Sequence, residues 1–259
     1  VDACRNADSG GDGQVTVDEL LTAVTAALEG CGDPEVLAAG IRFVPESRDV
    51  GGDRSLLVRI GDELVFNDGS DEPVKALHLA TRRVRPLVRQ MGVPAGLAVA
   101  GDDLFWTELR NGIAPSGCAG PGVIGVVNRT SIAQRTTVTL ARGDNCGEAT
   151  GDVAVAGASV FYVASRVSPN EYDIRSVPAT GGPVATLLTT SRRIIRLAAD
   201  ATHLYWMESD TGPDADTAIW RRPLAGGSAE RVLGGIGMLI QCQGGFAVAD
   251  GFVYAAVPG

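Results

Sequence analysis

Four oxygen-bearing side chains and one backbone carbonyl crowd into a single stretch near the start of the chain, DSGGDGQVTVDEL at 8–20. With Gly13 at the sixth of twelve places, Asp8 stands first, Asp12 fifth, Gln14 seventh through its carbonyl, Thr16 ninth and Glu19 twelfth. Ca2+ is a hard cation that takes roughly six to eight oxygens, and two Asp carboxylates, a carbonyl and a bidentate Glu around a sharp glycine turn supply most of them. The third place calls for Asp or Asn but is Gly10. One ligand is therefore left to water, and weak binding is the expectation. A plainer reading makes Thr16 the N-cap and Glu19 the capping-box acid of a helix, which leaves Asp8, Asp12 and Gly13 without a role.

Behind the loop, Leu20, Leu21, Val24, Ala27 and Leu28 fall at helical spacing before Gly30, so an amphipathic helix leaves it. Loop and helix together resemble the dockerin-like, single-helix variants of the EF-hand found in bacterial secreted proteins. The resemblance implies a Ca2+ site and a tandem partner loop. The chain opens without Met and stops at Val257-Pro258-Gly259. The expectation is an internal fragment, with any signal peptide and second loop lying before residue 1.

The elements behind this module are of another kind. A chain of 259 residues, 45% hydrophobic and 20% charged, buries a sizeable core. Its 34 Gly and 13 Pro punctuate short runs of Val, Ile and Leu, which predicts an all-β bulk. The net charge of -9 is uneven: 16 acids face 6 bases up to Lys75, and 15 face 16 after it. Nucleic acid, which requires clustered Lys and Arg, is not an expected partner. No run approaches the ~18 apolar residues of a membrane span.

Repeats organise the remainder. AGLAVAGDDLFWTE (95–108), GDVAVAGASVFYVAS (151–165), IRLAADATHLYWMES (195–209) and GGFAVADGFVYAAV (244–257) each read as strand, turn, strand, closed by an aromatic pair. The second aromatic recurs at Trp106, Tyr162, Trp206 and Tyr254, at spacings of 56, 44 and 48, with a weaker copy at Phe66. A second hairpin follows in DIRSVPATGGPVATLL (173–188) and IWRRPLAGGSAERVL (219–233). Four strands per unit of roughly 40 to 50 residues predict a β-propeller, in which each blade needs neighbours to cover its faces.

LYWMES followed by IWRRPLAGG resembles the bacterial relatives of the YWTD-type propeller, whose repeats run like ALDATHVYWTN and then VxRVPLAGG. The likeness covers 55–257 with about four and a half blades, and Phe105-Trp106-Thr107-Glu108 comes nearest the four-letter string. The resemblance implies a propeller fold. In such blades the second-to-third connection and the link to the next blade leave at one end. All the long loops fall there: 110–122, 142–151, 165–171, 209–217 and 234–245. A protein or glycan ligand is expected on that face.

The five Cys form no Cys-x-x-Cys, and His78 and His203 lie far apart, so zinc has no support. Cys118 and Cys146 sit in neighbouring loops, and Cys4 and Cys31 bracket the N-terminal module; either pair suits a disulfide. The second would contribute on the order of 3 kcal/mol. Five reduced, buried thiols are the other reading, and Cys242 has no partner in the first. Disulfides would place the protein in an oxidising compartment.

Lesser features read blandly. Asp210, Asp214 and Asp216 make a solvated acidic loop before they make a second calcium site. His203 is a turn residue and His78 a strand residue. The recurring aromatics are interblade packing, and the pairs Arg82-Arg83, Arg192-Arg193 and Arg221-Arg222 are solvated edge charges. Asn128-Arg129-Thr130 is a sequon that matters only in a glycosylating pathway. G-x-S-x-G, H-E-x-x-H and GK[ST] are absent from the sequence.

Three parts are thus expected: a calcium module at 1–31, a linker or closing strand at 32–54, and an all-β propeller over 55–259. Either 36–46 (VLAAGIRFVPE) completes the last blade of a five-bladed ring, or the ring is larger. The functional expectation is a secreted or cell-surface binding or scaffolding protein without catalytic activity. A propeller lyase or hydrolase acting on an extracellular polymer is the alternative, and a purely structural extracellular module is the third reading.

Overall fold

A computed structural model describes residues 57–67, 74–88, 92–111, 123–143, 147–166, 171–210, 216–235, 246–249 and 251–255. They form antiparallel strands in which short apolar runs are bounded by tight turns. The chain divides into two compact units, one of Val1–Ser47 with Ser55–Gln90 and one of Arg48–Arg54 with Met91–Gly259.

The first unit holds one blade, β1 (Leu57–Ile60), β2 (Glu63–Phe66), β3 (Val74–His78) and β4 (Arg83–Val88), hydrogen-bonded in chain order. Arg85 Nη2 on β4 donates to both carboxylate oxygens of Glu63 on β2, at 2.8 and 2.6 Å.

In the second unit the same meander recurs. The second blade is β5 (Val93–Ala100), β6 (Asp103–Asn111), β7 (Val123–Ser131) and β8 (Thr136–Arg142). The third is β9 (Glu148–Ala156), β10 (Ser159–Arg166), β11 (Glu171–Pro178) and β12 (Ala185–Thr190). The fourth is β13 (Arg193–Ala199), β14 (His203–Ser209), β15 (Thr217–Pro223) and β16 (Glu230–Leu233). A two-stranded sheet, β17 (Phe246–Ala249) and β18 (Phe252–Ala255), follows.

The second strands are apolar on both faces because each face meets a different neighbour. On β10, Val160, Tyr162 and Ala164 pack with Phe105, Val127 and Leu140 of the second blade. Phe161 and Val163 of the same strand pack with Ile194, Leu204 and Trp206 of the fourth. A continuous apolar run is what a strand covered on both sides requires. The seams are tight enough to exclude a methyl group in places. A Cβ on Gly125 would stand 2.5 Å from both the backbone nitrogen and Cγ2 of Thr150. Polar groups cross the seams too: Thr150 Oγ1 donates to Glu108 O at 3.1 Å, and Leu197 N donates to Asp152 Oδ2 at 2.9 Å.

The repeated Gly-Gly turn has a backbone cause. Gly226 and Gly227 carry φ of +99° and +125°, values open to glycine and strained for other residues.

The aromatic markers all fall on second strands. Phe66, Trp106, Tyr162 and Trp206 are 1–3% exposed. Tyr254 departs from the expected packing role, being 56% exposed, with Phe252 at 66%. The last sheet lays the alternate residues, Phe246, Val253 and Ala255, against Met207 and Ile219 of the fourth blade, so Phe252 and Tyr254 point the other way.

Candidate functional site at the long-connection end of the blades

Strand ends locate the long connections as the repeats predict. Asn111 to Val123, Arg166 to Glu171 and Ser209 to Thr217 are second-to-third connections, while Arg142 to Glu148 and Leu233 to Phe246 lead to the next sheet. Below these connections, charge replaces the apolar core.

The third blade carries the densest example. Arg175 on β11 donates from Nη1 to Glu148 Oε1 at 2.6 Å and from Nη2 to Asp173 Oδ2 at 2.8 Å. Arg166 on β10 reaches Asp173 at 3.3 Å and Glu171 at 3.1 Å. Thr189 Oγ1 donates to the other Asp173 oxygen at 2.7 Å. Glu148, Asp173 and Arg175 are buried. Register explains the meeting: Tyr162 lies opposite Arg175, Ala164 opposite Asp173, and Arg166 opposite Glu148, so all these charges share one face.

The second blade repeats the theme. Glu108 is fully buried, and its Oε1 accepts from Arg110 Nε at 2.7 Å and from Asn128 Nδ2 at 2.9 Å, while Oε2 has no hydrogen-bond partner among the described residues. Asn128 in turn accepts from Thr139 Oγ1 at 3.0 Å. The sequon asparagine is therefore an internal strut with no exposure to a glycosylating enzyme.

In the fourth blade Arg192 lies 3.3 Å from Glu208 and 3.0 Å from Asp210, and donates to Asp216 O at 2.8 Å. Asp216 also receives Arg231 at 2.7 Å and Gly235 N at 2.9 Å. The ends of the acidic loop are thus tied to arginine and backbone while staying solvated, the side chains of Asp210 and Asp216 being 52% and 38% exposed. Arg192 departs from its reading as a solvated edge charge, as does Arg222, whose Nη1 donates to Leu187 O at 2.8 Å. Arg221 pairs with Glu230. Arg82 and Arg83 are exposed, as expected.

Burial, the largest influence, pushes the Glu208 carboxyl above its ordinary range, against the pull of Arg192 and the Trp206 indole N–H. The folded state then holds its proton to higher pH than the unfolded chain, which releases it near ~4.3. Stability contributed by this group is present below that pH and is lost as pH rises through the folded value. Glu208→Gln removes the slope. Its melting temperature is expected to gain on the parent as pH rises from 4 to 7, read by calorimetry at each pH. A flat or falling difference would show that Arg192 outweighs burial.

At the opposite end, Asp200 caps the turn before β14. It accepts from Thr202 N at 2.6 Å, His203 N at 2.7 Å and Tyr205 Oη at 2.8 Å. Burial opposes its charge, but these bonds outweigh that and hold the carboxyl at about 2. His203 bonds Thr202 Oγ1 through Nδ1 at 2.8 Å, and His78 Nδ1 accepts from Thr81 N at 3.3 Å. His78 is the last residue of β3, a strand residue as expected, whereas His203 is the first residue of β14 and stands just beyond the turn in which the sequence placed it.

Asp8, Asp12, Gln14, Thr16 and Glu19 lie outside the described residues, as do Asp214, all five Cys and the segment 36–46. Among the described residues, His, Cys, Asp and Glu form no group of three suited to a metal ion. The braces Glu148–Arg175–Asp173 and Arg192–Glu208 were missed from sequence. One signal existed: Asp173 and Arg175, like Glu108 and Arg110, sit two apart on a strand and so share a face.

No protein-family model matches the chain, and no curated protein matches it. Solved structures do. The tricorn protease aligns with a TM-score of 0.54 at 6% identity, over 80% of this chain and 25% of that one. TolB from Acinetobacter baumannii gives 0.49 at 12%, over 70% and 44%. A chain of the nidogen/laminin complex gives 0.43 at 16%, over 69% and 61%. The chain spans less than two thirds of each. The four four-stranded blades, with the tricorn likeness, establish the β-propeller fold.

Proposed function

We propose that this chain belongs to an extracellular, calcium-binding protein whose propeller binds or scaffolds a protein or glycan partner at the long-connection end. The observation that carries the reading is the braced layer there. Arginine and carboxylate side chains tie strand ends together directly beneath the long connections, so the ends of those connections stand on a fixed base. Paired charges of this kind brace the site, since each guanidinium is committed to carboxylates. The Ca2+ site rests on the spacing of Asp8, Asp12, Gln14, Thr16 and Glu19, with the hard oxygen donors that Ca2+ selects. Bound there, the ion would order the loop and the helix behind it.

Calorimetric titration tests the calcium half. Ca2+ is expected to bind the parent chain with measurable heat, and Asp12→Ala or Glu19→Ala to weaken it at least about tenfold, as loss of a charged ligand should. No heat from the parent, or unchanged heat from both variants, removes the site. For the partner, a glycan and peptide array is compared with a variant in which 112–122 is shortened. Hits that survive the shortening move the binding surface elsewhere.

A further inference from the structure

The third and fourth blades can be compared residue by residue. Ile174-Arg175-Ser176-Val177-Pro178 corresponds to Ile219-Trp220-Arg221-Arg222-Pro223. Strand pairing confirms the match, because Tyr162 lies opposite Arg175 as Trp206 lies opposite Trp220. On the preceding blades the same bulge sets Leu140 and Leu187 in equivalent places.

The two seams nonetheless differ. Between the second and third blades, Val177 and Leu140 are buried members of the seam core. Between the third and fourth, Val177 is replaced by Arg222, and Leu187 is only half-buried. An open cavity of about 270 Å³ lies there. Buried Leu204 and Trp206 form its floor, Leu187 and Leu188 a wall, Ala229 part of its rim, and Arg222 lines it as well.

A guanidinium where the sister seam uses valine forgoes apolar packing, and departures of this kind from a repeat's own rule mark functional positions. One N–H of Arg222 is anchored on Leu187 O. A guanidinium carries five donors in a planar fork that suits a carboxylate. Apolar walls beside one cation match an apolar chain with an anionic head. We propose that this seam binds an apolar carboxylic acid, its chain against Trp206 and Leu204 and its carboxylate on Arg222. The volume lies just below the ~300–1,000 Å³ of common ligand pockets, which suits a medium-chain acid. The cavity borders the β15–β16 turn, at the opposite end from the long connections, and the proposal stands independently of the calcium and partner readings.

The test titrates octanoate and 1-octanol, following tryptophan fluorescence and heat. Octanoate is expected to saturate, and Arg222→Gln to weaken it at least about tenfold, as loss of a charged hydrogen bond should. 1-Octanol is expected to bind the parent more weakly than octanoate and to be indifferent to Arg222→Gln. Ala229→Phe, at an exposed position, is expected to block octanoate with an unchanged melting temperature, and it carries the test if Arg222→Gln does not fold. Absence of saturable octanoate binding, a dissociation constant within twofold of the parent in Arg222→Gln, or undiminished binding in Ala229→Phe overturns the site.

Discussion

Replacing Arg175 by Ala is expected to cost about 3–5 kcal/mol of stability, because it strands two buried carboxylates without their main countercharge. Glu148 is 1% and Asp173 is 3% exposed, so water cannot take over from the guanidinium. Among the described residues the one cation left nearby is Arg166, 3.3 Å from Asp173 but 4.0 Å from Glu148, and its side chain is 36% exposed. It compensates Asp173 better than Glu148. Replacing the whole set, with Glu148→Met, Asp173→Leu and Arg175→Met, is expected to recover most of the loss, since a buried ion network often contributes little beyond an apolar core of equal volume. Urea denaturation reads both. If Arg175→Ala lost less than about 1 kcal/mol, the layer would be solvated and its role as a rigid base under the long connections would fall.

Trp206→Ala is expected to cost about 3–5 kcal/mol, the range for a large aromatic removed from a core. Trp206 is 3% exposed and packs with Phe161 and Ile174 across the seam between the third and fourth blades and with Leu204 of its own strand. Tyr254 occupies the same place in the repeat yet is 56% exposed. Tyr254→Ala is expected to change stability by no more than about 0.5 kcal/mol. Equal losses at the two positions, measured by the same denaturation curves, would mean that Tyr254 is covered and that the last sheet packs as the repeat implies.

Much of the fold was legible because strand formation is local. Runs such as SVFYVASR at 159–166 declare a strand buried on both faces, and PLAGG at 223–227 declares a turn with two glycines at positive φ. Repetition of these signals sufficed to place the blades and to assign the long connections to one end. The site was less legible. Asp210, Asp216, Arg192 and Arg222 read as solvated charges without partners, since nothing in their local sequence names the partner across a sheet or a seam. Asn128 read as a sequon, and only its position beside Glu108, twenty residues earlier, makes it a buried strut.

The sequence alone thus determined the all-β repeat, the turn chemistry and an oxygen-rich loop with the spacing of a Ca2+ ligand set. Each depends on residues within a few places of one another, where alternation, glycine dihedrals and ligand spacing act directly. Tertiary structure decided which repeated positions are covered and which charges meet. Glu148 and Arg175 are brought together from 27 residues apart, and Val177 and Arg222 share a repeat position but serve a closed seam and an open one. Burial and charge pairing depend on the strand that faces a residue, and the identity of that strand is fixed only when the blades stack.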